Sequence, residues 1–285
     1  QRTMRLLIYD TEMRTANGYL PRAIAMGARE LLGDANVRQT SHADVVADAS
    51  SGEWDALLAI GGAGADRHLI SALISQPIIR ILWTTEDPYE RHLLAGVEGA
   101  FHHVFSNERL CDGVSPRTTH LALAAAAEMH FRHTVELDSD YSFDLTFVGT
   151  AWPNRVASLR QLLQKLPSGL RMHLSLPWNR HLKEPELPGV SVIPQLRHDI
   201  SDLCDIWNRS RVVLTIGRDF SNAGAKSGQT HGTSPPPRVY ETALAGGFQI
   251  ALDGAGMDLA STYGERIPLA MDEEEAARLI KHYLA

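Results

Sequence analysis

The sequence predicts an α/β protein built of two tandem Rossmann-like, doubly wound units whose sheet ends face each other across a cleft. Three observations carry that expectation. Short apolar runs alternate with longer segments whose apolar residues recur at spacings of three and four, the mark of a parallel sheet covered by helices on both faces. The alternation stops at a polar stretch, HTVELDSDYS at 133–142, and then starts again. With 285 residues, 44% hydrophobic and 21% charged, the chain has the size and composition for two such cores. The predicted domains are 4–132 and 143–285, with the polar stretch as linker.

In the first domain RLLIY (5–9), DALLAIGG (55–62), IIRILWT (78–84) and HHVFSN (102–107) read as strands buried on both faces. GYLPRAIAMGARELL (18–32), ADRHLISALIS (65–75) and PYERHLLAGV (88–97) read as the helices between them. In the second domain the strands are DLTFVGT (144–150), LRMHLSL (170–176), VSVI (190–193), RVVLTIG (211–217) and GFQIAL (247–252). Its helices are NRVASLRQLLQKL (154–166), with Asn154 as candidate cap, DISDLCDIWNRS (199–210), one opening near 237, and DEEEAARLIKHYL (272–284). The acids leading the last helix match its dipole. The polar loop at 218–234 is long enough to be functional.

Composition narrows the function. A net charge of −7 argues against bulk attraction to nucleic acid or anionic membrane. Cys111 and Cys204 form no CxxC pair, and the 13 histidines show no metal-binding spacing. No apolar run approaches the length of a membrane span or a signal peptide, and Met4 reads as the native start. A cytoplasmic protein is expected. The glycine run GGAGAD at 61–66 lacks a phosphate-loop ending and reads as a strand-to-helix turn. Trp152, Trp178 and Trp207 could stack on a base or sugar, or simply pack in the core.

The stretch SPPPRVYETALAGGFQIALD, at 234–253, holds the sharpest candidate site. Pro237 suits a first helical turn, and Thr233 or Ser234 could cap it. Arg238 and Glu241 then share one face. As a surface pair they would contribute roughly 0.2–0.5 kcal/mol. Alternatively, Arg238 and the free helix amides meet an anion, while Glu241 accepts hydrogen bonds from two sugar hydroxyls. Spacing leaves both open. Gly149 and Thr150 end a strand, and Asn154 and Arg155 open the next helix. That is either a turn that admits a diphosphate, neutralised by Arg155, or an ordinary turn with a surface arginine. Arg218, at another strand end, is a second diphosphate contact or a loop ion pair. In the first domain Asp10, Thr11 and Glu12 end the first strand, and Glu86 and Asp87 follow the strand IIRILWT (78–84). These acids are helix caps or acceptor-facing groups, with Asp10, Glu86 and Asp87 equally eligible as base.

The same C-terminal stretch resembles the signature of glycosyltransferases with the GT-B fold, in particular the spore-maturation CgeB-like group. ILWTTEDPYE (81–90), VFSNE (104–108), FDLTFVGTAWPNRVASL (143–159) and SRVVLTIGRD (210–219) resemble further segments of that group, in the expected order. The resemblance covers roughly residues 78–285. It implies transfer of a sugar from a nucleotide-diphosphate sugar to an acceptor. Glu241 would hold the ribose. Gly149, Thr150, Asn154, Arg155, Arg218 and Arg238 would hold the diphosphate. No cofactor and no metal are expected, because no acidic D-x-D string sits at a strand end; DSD at 138–140 lies in the linker. Where retaining members have a second glutamate, eight positions before Glu241, this chain has Thr233, so stereochemistry is left undetermined. Two other readings stay open: a non-catalytic nucleotide- or sugar-binding module of the same fold, and another tandem-Rossmann enzyme such as a sugar-nucleotide epimerase. Base, sugar and acceptor are not legible.

Overall fold

The computed structural model describes residues 3–11, 17–178, 182–193, 199–219, 231–253 and 256–285. Glu12 and most of the 218–234 loop lie outside them. The chain divides into two compact units, residues 1–126 and 127–285.

The first unit runs β1 (Leu6–Asp10), α1 (Leu20–Leu32), β2 (Val37–Thr40), α2 (Val45–Ser50), β3 (Ala56–Gly61), α3 (Arg67–Ile74), β4 (Ile79–Thr84), β5 (His103–Ser106) and β6 (Thr118–His120). Its six strands are parallel in the order β2-β1-β3-β4-β5-β6. β3 is buried along its whole length, as a central strand covered on both faces must be. One core layer packs Leu7, Leu57, Leu82 and Val104 against Ile70 and Leu73 of α3. The other packs Ile8, Leu58 and Ile60 against Ala25 of α1. Asp66 caps α3, accepting from the amides of His68 and Leu69.

The second unit runs α4 (Ala127–His130), β7 (Phe143–Val148), α5 (Pro153–Lys165), β8 (Met172–Ser175), α6 (Ile200–Asn208), β9 (Ser210–Ile216), α7 (Pro237–Leu244), β10 (Gln249–Leu252), α8 (Ala260–Tyr263), β11 (Leu269–Ala270) and α9 (Glu273–Leu284). Its five parallel strands are ordered β11-β10-β9-β7-β8. Leu145, Phe147, Val212 and Leu214 pack against Leu159 and Leu162 of α5 and Ile280 of α9. Val148 and Val213 meet Leu203, Cys204 and Trp207 of α6. In both units the chain order across the sheet reverses beside the first strand: between β1 and β3, and between β7 and β9. Such a switch point leaves a crevice at the strands' carboxyl ends, where ligands of open α/β sheets bind.

Four expectations are corrected. The 88–97 helix is replaced by a short 3-10 turn, Arg91–Leu94, because Gly96 at φ +85° interrupts any helical run while Leu94 and Val97 turn inward. The strand at 190–193 reduces to one bridge, Ser175 to Ile193. Asn154 does not cap α5, since Trp152 holds that position and Asn154 lies inside the helix behind Pro153. Neither Thr233 nor Ser234 caps α7; Pro236 does, without a side-chain bond. α4, the first element after the division at residue 126, packs on α6 and α7. Among the described residues no helix is long and apolar enough to cross a membrane.

Candidate functional site

The second unit's switch point collects most of the predicted donor residues. The register that sets Phe147 beside Leu214 makes β7 and β9 run out together, at Gly149 and Gly217. Gly149 is a position of close approach. A methyl group there would stand 3.1 Å from a terminal nitrogen of Arg155, 3.2 Å from one of Arg238 and 3.0 Å from the Phe147 ring. Two guanidinium groups therefore converge on one turn from different helices.

Both are held by backbone. Arg155 Nε–H donates to the carbonyls of Ile216 (3.0 Å) and Gly217 (3.2 Å), and its Nη1 donates to Thr150 (3.4 Å). Arg238 Nη1 donates to the Val148 carbonyl. Its guanidinium lies 6.0 Å from the centre of the buried Trp207 ring. Arg238 Nε–H is buried and meets no acceptor among the described residues, a costly state for a charged donor. Asn154 Nδ2 donates to the Gly217 carbonyl at 3.0 Å. Arg218 lies 4.3 Å over the ring of Trp152, which is 5% exposed, a cation–π contact that fixes its direction. Gly149, Thr150, Asn154, Arg155, Arg218 and Arg238 are thus gathered at one sheet edge.

Along the same edge opens a cavity of about 430 Å³, lined by Asn154, Ser158, Gly217, His231 and the carboxylates of Asp219 and Asp253, among others. Asp253 presses on Gly217, where a methyl group would come within 2.9 Å of its carboxyl. The edge has two characters: cationic at the end of β7, rich in hydrogen-bond acceptors beyond β9.

Glu241 is set differently from the expected surface pair. It is 1% exposed, on the inner face of α7 with Val239 and Thr242, while Ala243 faces out. Its Oε1 lies 3.8 Å from Nε2 of His130, itself fully buried. Burial pushes the nearby Cys204 thiol up to about 12, with Glu241 adding to the effect. Sequence reasoning missed His130. It sits far from Glu241 in the chain, and scattered histidines carry no spacing signal.

In the first unit the three candidate acids part ways. Asp87 is 4% exposed, and its Oδ2 accepts from Thr84 Oγ1 (2.9 Å), Ser106 Oγ (2.7 Å) and Arg91 (3.0 Å). An oxygen holding three donors is an anchor between β4 and β5. Glu86 is half-buried and accepts from Asn17 Nδ2 at 2.6 Å. Asp10 is half-buried at the end of β1. Beside it Thr11 closes the switch point, its hydroxyl donating to the Ile60 carbonyl (2.8 Å) and accepting from the Gly62 amide (2.7 Å). The end-of-strand position of Thr11 was the only sequence signal for that role.

Known proteins add to this geometry. Two solved structures share the fold. One is an alpha-glucosyltransferase in complex with UDP and a 13-mer DNA containing a central A:G mismatch, at TM-score 0.63; the other is an alpha-glucosyltransferase in complex with UDP and a 13-mer DNA containing an HMU base, at 0.65. Each is 9% identical in sequence, and each match covers 100% of this chain and 91% of the solved one. Both are complexes with DNA, so the expectation that nucleic acid is no partner finds no support in them. No curated protein matches the chain. A family model described as glycosyl transferase-like matches residues 133–285, which takes in the whole gathered site of the second unit and more than half of the sequence: the chain belongs to the glycosyl transferase-like family.

Proposed function

We propose that the protein transfers a sugar from a nucleotide-diphosphate sugar to an acceptor, as a member of the CgeB-like group, with the donor held by the second unit. One observation supports this most: the convergence of Arg155 and Arg238 on Gly149 at the sheet's switch point. A diphosphate is the ligand two such forks suit, since each offers charge-assisted, directional hydrogen bonds to phosphate oxygens. The N-terminal amides of α5, and Arg218 stacked on Trp152, add positive potential on the same side. The carboxylates of the adjoining cavity suit a hydroxyl-rich sugar, not a phosphate. Glu241, one turn along α7 from Arg238, takes the ribose hydroxyls.

In the reaction the bond from the anomeric carbon to the diphosphate breaks. The negative charge that grows on the leaving oxygen is stabilised by Arg155, Arg238 and the helix amides, fixed before the ligand arrives. No metal is assigned to this step. An acceptor hydroxyl forms the new bond and gives its proton to a base, with Asp10 and Glu86 of the first unit as the candidates. The acceptor stays unspecified, and transfer takes place in the cytoplasm in this reading.

A panel of nucleotide sugars, incubated with and without candidate acceptors, tests the proposal. Release of free nucleoside diphosphate is expected. Binding without release would favour the non-catalytic module, for which Thr233 in place of an acid speaks. A changed sugar still attached to its nucleotide would indicate an epimerase.

A further inference from the structure

We infer that His130 is a positioning residue: it holds Glu241 as a directed acceptor for the nucleotide's ribose, and the segment carrying it is clamped to the second unit for that purpose. The inference rests on the ribose role proposed for Glu241. It starts from a cost. A carboxylate at 1% exposure and an imidazole at 0% have both left water, which is unfavourable unless each finds compensation. The two approach to 3.8 Å between Nε2 and Oε1, so the imidazole edge stands beside the carboxylate oxygen and limits where it can point.

The surroundings bear on the charge balance. Cys204 and Asp205 come from α6, Arg132 follows α4, and Arg238 lies one turn before Glu241 on α7. Asp205 is taken up by Arg132, whose Nε donates to it at 2.5 Å. Cys204, with its thiol raised to about 12, stays neutral near pH 7.

The clamp is the second strand of evidence. α4 is one turn long and would not hold its shape alone. Arg132 ties it down: Nη2 donates to the carbonyl and hydroxyl of Ser201, both at 2.9 Å, and Nη1 donates to the carbonyls of Met129 and Phe131 at the helix end. Asn208 Nδ2 bridges the same segment to α7, donating to the carbonyls of His133 (3.0 Å) and Ala245 (2.8 Å). The packing of α4 on α6 and α7 fixes His130 against Glu241.

The test compares UDP with 2′,3′-dideoxy-UDP, by calorimetric titration, in the wild-type chain and in His130→Gln. The wild type is expected to prefer UDP by about tenfold, the worth of hydrogen bonds to a charged acceptor. His130→Gln is expected to bring that preference close to one while leaving dideoxy-UDP affinity unchanged. A purely structural histidine would weaken both nucleotides alike, and that result, or an unaltered preference, overturns the inference. Should His130→Gln fail to fold, Arg132→Ala replaces it. Its side chain is partly buried at the surface of the unit, and its loss loosens α4, so it is expected to narrow the preference in the same direction; no narrowing overturns the inference. A wild type that binds UDP and dideoxy-UDP equally removes the ribose contact itself and the inference with it. A wild type that binds neither contradicts the donor site as a whole.

Discussion

The two switch points share a topology and differ in chemistry. In each, the first and third strands of a parallel sheet end side by side at a crowded glycine. At Gly62 the crowding is apolar: an added methyl group would meet Leu94 at 2.9 Å and Leu82 at 3.1 Å. At Gly149 the close neighbours include two arginine side chains. The first unit's edge carries Asp10 and Glu86, the second's Arg155, Arg238 and Arg218. The fold supplies the crevice in both cases. The side chains planted at the strand ends decide which ligand each can take, which is why function has to be argued from the site.

The comparison is sharpest where the acids of the first unit are changed. Glu86→Gln or Asp10→Asn, whichever is the acceptor's base, should lower transfer by about a hundredfold or more, with UDP affinity unchanged in titration. If both variants transfer normally, the first unit does not supply the base.

Asp87→Ala should act on stability. It strips one acceptor from Thr84, Ser106 and Arg91 together, leaving them with second partners, Asn107, Glu108 and Glu98. Unfolding in urea should show a loss of about 3 kcal/mol. A folded, stable variant without transfer would return Asp87 to the list of candidate bases.

The two glycines give the finest contrast. Gly149→Ala should weaken UDP binding by about tenfold, because the arginines must shift to admit the methyl group. Gly62→Ala, at φ +97°, should instead destabilise the first unit by roughly 1–3 kcal/mol and leave UDP affinity alone. Interchanged effects would undo the assignment of cationic and apolar crevices.

Much of this architecture was legible in the sequence. Central strands such as β3 and β9 are nearly continuous apolar runs, and the long helices α1, α5 and α9 carry a full amphipathic period. The elements missed are the short or half-exposed ones. β2, with the sequence VRQT, buries one of its four residues fully, and β11 has two residues. Their pairing comes from neighbouring strands, which a local pattern cannot reveal. The candidate residues at strand ends were singled out because parallel sheets place ligands there. His130 was not, since its meeting with Glu241 depends on α4 packing across α6 and α7. The anchoring role of Asp87 was hidden for a similar reason. The three donors on its carboxylate come from positions 84, 91 and 106, and only the packed sheet brings Ser106 to it.

The central claim is that Arg155 and Arg238 make a diphosphate site at the end of β7. Calorimetric titration of Arg238→Ala with UDP and with uridine tests it most directly. UDP affinity should fall by about tenfold to a hundredfold, the worth of charge-assisted hydrogen bonds, while uridine affinity stays where it is in the wild type. Equal losses for the two ligands, or none for UDP, would contradict the account.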